Sequence, residues 1–336
     1  MPERGEIFYF AECIRKLFIG RKMVDLDFNE KSKYYKKSLT HHEFLRSYLK
    51  DNSIYLYDVR SQGKKIIFVL SKVLPNLKDI SLDLTIKRPN SKLINEDPDD
   101  SIYLISSLGM EGRWILQRKK HSNLWIDFDG FNFPRYQLSK VSPVLLEEYG
   151  MDPNGQENFY PITCLTRLYY DDTRKFGALE IFKDKKAMMK RLTSTVGLDL
   201  YQDEIGTELW KTLFRQKKLQ EQEICKVLLI DQKMISGIGN YLKSDILFQS
   251  KIRPDRLIKD LSDEELEIIR INSIQLVEKV CHLGGASIRT YHDLFGFKGS
   301  YQPLVYNKKF DSQGNKVTHS KFSDKRTTWW VPTIQH

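Results

Sequence analysis

The residues beside the first methionine could carry out nucleophilic chemistry. Removal of Met1 would expose the backbone amine of Pro2, which is a secondary amine. An α-amino group has a reference pKa of about 8, against about 10.4 for lysine, so more of it is neutral and nucleophilic at physiological pH. Such an amine can attack an electrophilic carbon and form a charged iminium, while the neighbouring Glu3 could act as general acid. Many proteins begin with Met-Pro, so Pro2 alone is weak support for this chemistry.

A second group of residues could bind phosphate. Gly237 and Gly239 lie in a turn between two helical segments, and Asn240 stands at or near the start of the second one. Glycine permits close approach of another group to the backbone, and the N–H groups at a helix start attract anions. Asn240 could add a side-chain donor, and Lys226 a positive charge. The same pattern is typical of an ordinary helix–turn–helix corner, and the residues alone leave both interpretations open.

The first half of the chain is predicted to be rich in strands. Seven short segments, rich in β-branched and aromatic residues and bounded by turn residues, are predicted to be strands. These segments are Ser53–Val59, Lys65–Ser71, Ser101–Ser107, Arg113–Gln117, Leu124–Asp129, Arg167–Asp171 and Ala178–Phe182. A helix over Ile7–Ile19 could precede them, and Lys87–Asp100 and Tyr149–Asn158 are predicted to be loops. The pattern predicts a β-sandwich or barrel.

From about Lys183 the apolar spacing changes to that of helices. Helices are predicted over Glu204–Lys217, Ile224–Leu229 and Tyr241–Gln249, and Ser262 begins a capping box with Glu265 ahead of another. From about Thr290 to the end the chain becomes aromatic, basic and strand-like. A chain of 336 residues exceeds what one core usually supports, so more than one domain is expected.

Charge, cysteine spacing and hydropathy narrow the class of protein. The net charge of +10 favours an anionic partner, chiefly nucleic acid, although a lysine-rich solvated surface would produce the same excess. The four cysteines form no CxxC pair, and HxxxH and HExxH spacings are absent, which argues against a disulfide framework or a cysteine-type zinc site. No apolar run approaches the roughly 20 residues of a membrane span, and the N-terminus lacks a secretory pattern. We therefore expect a soluble, intracellular protein.

Short motifs in order along nearly the whole chain resemble the signatures of the formamidopyrimidine-DNA glycosylase/endonuclease VIII family. The opening Met1–Glu6 resembles the family's MPE(L/G)PE start, and Leu228–Arg256 resembles its helix–two-turns–helix element. The remaining matches are Gly63-Lys64 before an apolar strand, Leu108–Gly112 as the LGMxG turn, Asp172–Gly177 as the DPRRFG loop and Arg326–Gln335 as the C-terminal finger. Their joint occurrence in order is far more specific than any one of them.

The resemblance implies an α+β fold with an N-terminal catalytic β-sandwich (1–190), a helix-two-turns-helix DNA-binding domain (200–286) and a β-hairpin finger (287–336). It implies a bifunctional DNA glycosylase/AP lyase of base excision repair that removes oxidised bases, chiefly pyrimidines, and cleaves the strand by β- or δ-elimination. Pro2 would be the nucleophile and Glu3 the general acid. Lys64 would bind the adjacent phosphate or assist proton transfer, and Glu6 would orient the sugar. No cofactor is implied.

The same resemblance assigns the contacts to DNA. Base removal requires the nucleotide to leave the stack, so the gap must be filled. Met110, Arg174 and Phe176 match the family's void-filling positions, although Met110 and Phe176 could instead be core residues at strand ends. The expected partner is damaged DNA, whether duplex, bubble or single-stranded, bound by a monomer in the nucleus or wherever the DNA is kept, a viral host cell included.

The C-terminal segment resembles the finger of the vertebrate endonuclease VIII-like branch, which binds zinc through a Cys-His-Cys-Cys set. The four ligand positions here are Asp311, Asn315, Val331 and Ile334. Because valine and isoleucine cannot bind a metal, the resemblance predicts a zincless finger held by packing, with no metal site. Arg326 at the hairpin tip would contact phosphates beside the lesion, and Lys226 and Asn240 would bind phosphate elsewhere.

Two other functions fit parts of the sequence. A non-catalytic protein of the same fold could recognise abasic or single-stranded DNA, although the intact Pro2, Glu3 and Lys64 argue against it. An RNA- or ribosome-associated helix–turn–helix protein would not need the Pro-Glu start.

Overall fold

A computed structural model of the protein describes residues 2–29, 31, 41–76, 97–129, 166–289, 291–294 and 296–336. Its helices are α1 (Arg4–Phe18), α2 (His42–Asp51), α3 (Lys185–Thr195), α4 (Thr207–Phe214), α5 (Ile224–Ile230), α6 (Asn240–Gln249) and α7 (Asp263–His282). Its strands are β1 (Met23–Phe28), β2 (Tyr55–Gln62), β3 (Lys65–Ser71), β4 (Ile102–Ser107), β5 (Arg113–Ile115), β6 (Ser122–Phe128), β7 (Arg167–Asp171), β8 (Ala178–Phe182), β9 (Leu198–Asp199), β10 (Ile235–Ser236), β11 (Thr318–Lys321) and β12 (Thr327–Trp330).

The N-terminal half is a sandwich of two antiparallel sheets. In the described residues the strand orders are β1-β6-β7-β5 and β2-β3-β4-β8. Side chains alternate between the two faces of a strand. In β3, Ile66, Phe68 and Leu70 therefore face the core between the sheets, whereas Ile67 and Val69 pack against α3 on the outer face. Both faces of β3 are buried, so its sequence is a continuous apolar run. The predicted sandwich is confirmed.

The C-terminal half is helical and has its own core. Residues of α4 to α7 form most of this core, and α6 and α7 pack against each other. The predicted capping box is present, because Glu265 N donates to Ser262 Oγ at 3.2 Å and Ser262 N donates to Glu265 Oε2 at 2.8 Å. The predicted helices are confirmed, with ends that differ by a few residues.

Helix α1 joins the two cores. Phe10, Ile14 and Phe18 pack into the sandwich core, whereas Phe8 packs into the helical core. The helix begins at Arg4, three residues before the predicted start, because Glu3 and Glu6 form a capping box at its N-terminus. The first residues of the chain are thereby held between the two halves of the molecule.

Several elements were not expected from the sequence. Strand β1 has the sequence MVDLDF, and its polar face includes Asp25, which accepts two hydrogen bonds from Arg46 of α2. Helix α2 has only a short apolar stripe, and α3 is strongly basic with Met188 and Leu192 as its buried residues. Tertiary packing outweighs the weak local patterns of all three segments.

The C-terminal segment is less regular than predicted. The described residues after 290 contain one hairpin, β11–β12, and otherwise turns and single bridges. Of the two predicted loops, residues 149–158 and most of 87–100 lie outside the described residues. Among the described helices, none has the length and apolarity needed to cross a membrane.

Candidate functional site

The start of the chain lies in the interior, between the β-sandwich and the helical half. Pro2 is buried and Glu3 is only 2% exposed. Arg4 N donates to Gly237 O at 3.0 Å, which ties the beginning of α1 to the glycine turn ahead of α6. The predicted nucleophile and general acid therefore adjoin the predicted phosphate-binding turn.

The Glu3 carboxylate occupies the N-terminus of α6. Three backbone N–H groups donate to its oxygens: Gly239 N at 2.8 Å, Tyr241 N at 3.0 Å and Leu242 N at 3.1 Å. A Cβ on Gly239 would lie 2.2 Å from Glu3 Cδ, so only glycine permits this approach. One of the two interpretations of the sequence was that these amides attract phosphate. The structure corrects this, because the anion at the helix start is the protein's own carboxylate.

Burial makes Glu3 a proton donor near neutrality. Loss of solvent raises the pKa of Glu3 from 4.5 to about 7, against the opposing effects of the Lys64 charge and the amide hydrogen bonds. The neighbouring Glu6 carboxylate raises the Glu3 pKa further. A group with a pKa near the working pH can both give and take a proton.

Lys64 approaches the same point from the β-sandwich. It follows Gly63, whose φ of +54° makes the tight turn between β2 and β3. Its amine Nζ donates to Ile238 O at 2.6 Å, within the glycine turn. Burial lowers the pKa of Lys64, and the Glu3 and Glu6 charges oppose that shift. The structure thus brings Lys64 to Pro2 and Glu3, which lie at the start of the chain, far from Lys64 in sequence.

Glu6 is wholly engaged inside the protein. Its carboxylate accepts from Glu3 N at 2.8 Å, from Tyr241 Oη at 2.9 Å and from Ala286 N at 2.7 Å, and its side chain is inaccessible to solvent. The predicted contact of Glu6 with a sugar does not fit this environment. Glu6 instead connects α1, α6 and the segment after α7, and so fixes the backbone of Glu3.

Two adjacent loops carry the predicted void-filling residues. A Cβ on Gly109 would lie 2.7 Å from the carbonyl carbon of Phe176, which shows how closely the loops pack. Arg174 Nη1 lies 3.9 Å from Met110 Sδ, and Arg174 Nε lies 3.0 Å from Glu111 Oε1. The Phe176 side chain is 62% exposed and Met110 is half-buried. Phe176 is therefore not a core residue, and the two packed loops place all three residues at one edge of the sandwich.

The remaining DNA-contact candidates lie on the helical half and the hairpin. Arg326 is exposed in the turn between β11 and β12, as predicted, and its charge acts on Lys64. Asn240 Nδ2 donates to Thr327 O at 2.8 Å. An amide nitrogen has two N–H groups, so a phosphate contact by the second remains a prediction. Lys226 is half-buried on α5, the helix before the glycine turn.

Two buried ion pairs lie next to the site, and the motifs did not indicate either of them. Arg4 Nε pairs with Asp199 Oδ1 at 2.7 Å, with both side chains inaccessible to solvent, and Asp199 Oδ2 accepts from Gly63 N at 2.7 Å. Lys243 of α6 pairs with Asp324 of the hairpin turn, again without exposure. Arg4 has a signal in the sequence, because it departs from the family opening. Lys243 has none, because its helix, NYLKSDILFQ, contains other polar residues.

The four positions that would bind zinc in a metal-containing finger hold other interactions. Asp311 Oδ2 accepts from Asn315 Nδ2 at 2.9 Å. Val331 lies in a small core with Val305 and Val317, against which Ile334 packs. Within the ranges that the structure describes, no three histidine, cysteine, aspartate or glutamate residues are grouped as metal ligands would be.

Comparisons with known proteins agree with this geometry. Residues 200–292 match the "Formamidopyrimidine-DNA glycosylase H2TH domain" and residues 298–336 the "Formamidopyrimidine-DNA glycosylase C-terminal domain". Formamidopyrimidine-DNA glycosylase of Bacillus cereus is 34% identical over 147 residues, 43% of this chain and 51% of that protein. The chain thus spans about half the length of the first curated relatives it matches. The enzyme of Lactococcus lactis subsp. cremoris is 25% identical over 345 residues, 100% of this chain and 99% of that protein.

Solved structures show the same fold. A Lactococcus lactis FPG mutant in complex with a Fapy-dG containing DNA has a TM-score of 0.70 at 21% identity, covering 100% of both chains. Lactococcus lactis Fpg in complex with an abasic site containing DNA has a TM-score of 0.69 at 21% identity, covering 99% of both.

Proposed function

We infer that the protein is a bifunctional DNA glycosylase/AP lyase. The proposal is supported by the matches to the H2TH and C-terminal domains of formamidopyrimidine-DNA glycosylase and by the shared fold. Its substrate would be DNA containing oxidised bases. The observation that carries this proposal is the convergence of Pro2, Glu3 and Lys64. Glu3 is buried beside Pro2 with a pKa of about 7, and Lys64 lies against the same glycine turn.

The proposed reaction begins at the amine of Pro2, once Met1 has been removed. Its lone pair forms a bond to the sugar C1′, and the bond from C1′ to the base breaks with its electron pair going to the base, which gains a proton. Glu3 donates a proton to the sugar ring oxygen as the ring opens. The amine gives up its own proton, which is the proton that the departing base takes, and the nitrogen is left in a charged iminium. Loss of a proton from C2′ then expels the 3′ phosphate, and water releases the sugar fragment from Pro2.

The remaining candidates would hold the DNA. Lys64 and Arg326, whose charges are close enough to interact, would face the phosphates beside the damaged nucleotide. Met110, Arg174 and Phe176, grouped at the sandwich edge, would fill the space that the flipped nucleotide leaves. Lys226 and Asn240 would bind phosphate on the other side of the glycine turn.

We also propose that the C-terminal hairpin is a zincless finger. The Asp311–Asn315 hydrogen bond and the valine core support a finger that needs no zinc and an endonuclease VIII-like type, so a chelator should leave the unfolding temperature unchanged. We further propose that the protein prefers oxidised pyrimidines, that it acts as a monomer inside the cell, and that it divides into residues 1–190, 200–286 and 287–336.

Trapping with borohydride tests the activity. Protein with a C-terminal tag is incubated with duplexes containing an oxidised pyrimidine, a formamidopyrimidine or an abasic site, and borohydride is added to reduce any iminium to a stable adduct. We expect an adduct that an N-terminal tag prevents, since the tag removes the free amine of Pro2. Tight binding of damaged DNA without an adduct would show a non-catalytic protein of this fold. Absence of both binding and adduct would overturn the proposal.

A further inference from the structure

One face of helix α6 forms hydrogen bonds and an ion pair with the hairpin. Asn240, Lys243 and Ser244 are spaced i, i+3 and i+4, so their side chains lie together on one side of the helix. Asn240 Nδ2 donates to Thr327 O at 2.8 Å, and Ser244 Oγ accepts from Trp329 N at 3.4 Å. Lys243, between them, reaches the hairpin turn itself.

Lys243 and Asp324 form an ion pair that solvent does not reach. Lys243 Nζ donates to Asp324 Oδ2 and, at 2.7 Å, to Thr328 Oγ1, and neither charged side chain has any exposure. Two buried charges gain little net stability when they pair, but separating them leaves an unpaired buried charge, which is costly. Such a pair therefore fixes the position of the hairpin turn on α6 more than it adds stability, because any movement that separates the two charges costs free energy.

The same aspartate shapes the backbone that carries Arg326. Asp324 Oδ1 accepts from Arg326 N at 2.9 Å, across a turn in which Lys325 has a φ of +57°. The turn has a second tether, from Ser323 to Glu223 Oε2 at 2.6 Å, but that contact is exposed. Exposed polar contacts are individually weak, so the buried pair dominates the position of the turn.

Helix α6 thus connects two parts of the proposed site. Its N-terminal amides hold the carboxylate of Glu3, and Lys243, one turn further along, holds the turn that carries Arg326. We propose that Lys243 and Asp324 are positioning residues that set the place of Arg326 relative to Glu3 and Lys64, so that Arg326 meets a DNA phosphate only while this buried pair is intact. The inference rests on the proposed function, because it assigns Arg326 a phosphate ligand.

A double-mutant cycle separates positioning from stability. The neutral variant Lys243→Met/Asp324→Asn removes both charges but keeps an oxygen that can accept from Arg326 N. Affinity is measured for a duplex with a tetrahydrofuran abasic analogue. Arg326→Ala should weaken binding by about tenfold in the wild type, as expected for a charge-assisted phosphate contact. In the neutral variant we expect Arg326→Ala to change affinity by less than about twofold, since the side chain is already displaced.

A matched control uses another lysine–carboxylate pair of the helical half. Lys259 Nζ and Glu221 Oε2 lie 2.9 Å apart, and both side chains are exposed. In Lys259→Met/Glu221→Gln, Arg326→Ala should cost the same as in the wild type. If the neutral variant does not fold, Asp324→Glu serves instead, because it keeps both charges while displacing the turn by one methylene. It too should reduce the cost of Arg326→Ala.

Equal costs of Arg326→Ala in all backgrounds would overturn the inference and leave the proposed function standing. A wild-type protein that neither binds the duplex nor forms the borohydride adduct would overturn the proposed function, and the inference with it. A neutral variant that still forms the adduct at saturating abasic DNA, while Arg326 no longer contributes to affinity, would support the positioning role.

Discussion

At the scale of single residues, the proposed chemistry depends on how the protein holds Glu3. Its carboxylate has the hydrogen bonds expected of an anion, three of them from backbone amides of α6. Burial nevertheless raises its pKa to about 7, because removal from water disfavours the charged form more than these bonds favour it. A carboxyl group with a pKa of about 7 can donate a proton at the pH at which the amine of Pro2 is partly neutral.

The raised pKa predicts how activity depends on pH. If protonated Glu3 is the acid, kcat for base removal should fall as pH rises through about 7. Glu3→Gln should abolish this fall together with most of the activity. Single-turnover rates measured from about pH 5 to about pH 9, on either side of the Glu3 pKa, test this pH dependence. A rate that does not change across this range would contradict the role of Glu3.

Stability gives an independent check on the same group. The folded pKa of Glu3 lies above its reference value of 4.5, so the folded state binds the proton more tightly. Its contribution to stability is fully present below pH 4.5 and is lost as pH rises through about 7. The free energy of unfolding of the wild type, minus that of Glu3→Gln, should therefore decrease over this interval by about 3 kcal/mol. A difference that is flat with pH would show that Glu3 titrates normally.

At the scale of elements, the glycine turn before α6 determines what the helix start can bind. Gly237 has a φ of +95°, and a Cβ there would lie 2.8 Å from Arg4 Cβ. Gly239 leaves room for the carboxylate of Glu3. The turn is thus shaped to receive the first residues of α1, and the helix N-terminus stabilises Glu3 in place of an external anion.

Two glycines that precede helices provide a matched comparison. Gly239 and Gly206 are the N-cap residues of α6 and α4, but a Cβ at Gly206 would have nothing within 4 Å. Gly239→Ala should displace Glu3 and reduce the rate of base removal by about 100-fold, the order expected for loss of general acid catalysis. Gly206→Ala should leave the rate unchanged. Single-turnover measurements of both variants test this, and a normal rate for Gly239→Ala would show that the contact is not needed.

At the scale of the whole molecule, the site exists because α1 joins the two halves. Phe10 and Phe18 of this helix pack into the sandwich core and Phe8 into the helical core. The buried Arg4–Asp199 pair connects the start of α1 to Gly63, the residue before Lys64. The separation between Lys64 and Glu3 is therefore set by contacts between the halves.

This connection predicts an asymmetric response to mutation. Arg4→Met leaves Asp199 buried without its cation and should reduce the free energy of unfolding by about 3–5 kcal/mol, whereas Arg4→Met/Asp199→Asn should recover much of that loss. Arg191→Met breaks the exposed pair with Glu180 and should cost about 1 kcal/mol or less. Urea unfolding measures all three. A double variant no more stable than Arg4→Met would contradict the role of the pair.

The strand-rich and helical halves, most of their elements and the motifs at the site were predictable from the sequence, because periodicity and turn residues are local properties. Strand β3 was predicted with its observed ends. Strand β1 and helix α3 were missed, because their local patterns are weak without the layers they pack on.

The contacts of each site residue could be read only from the folded structure. It showed that Glu6 is an internal support and that the start of α6 holds Glu3. It also revealed the buried pairs Arg4–Asp199 and Lys243–Asp324, whose partners are 195 and 81 residues apart. Burial and the pairing of charges across such separations arise from the packing of distant segments, and no local pattern encodes them. The motifs therefore identified Pro2, Glu3 and Lys64 as candidates, whereas the burial of Glu3, the contact of Lys64 with the glycine turn and the residues that support them are properties of the folded chain.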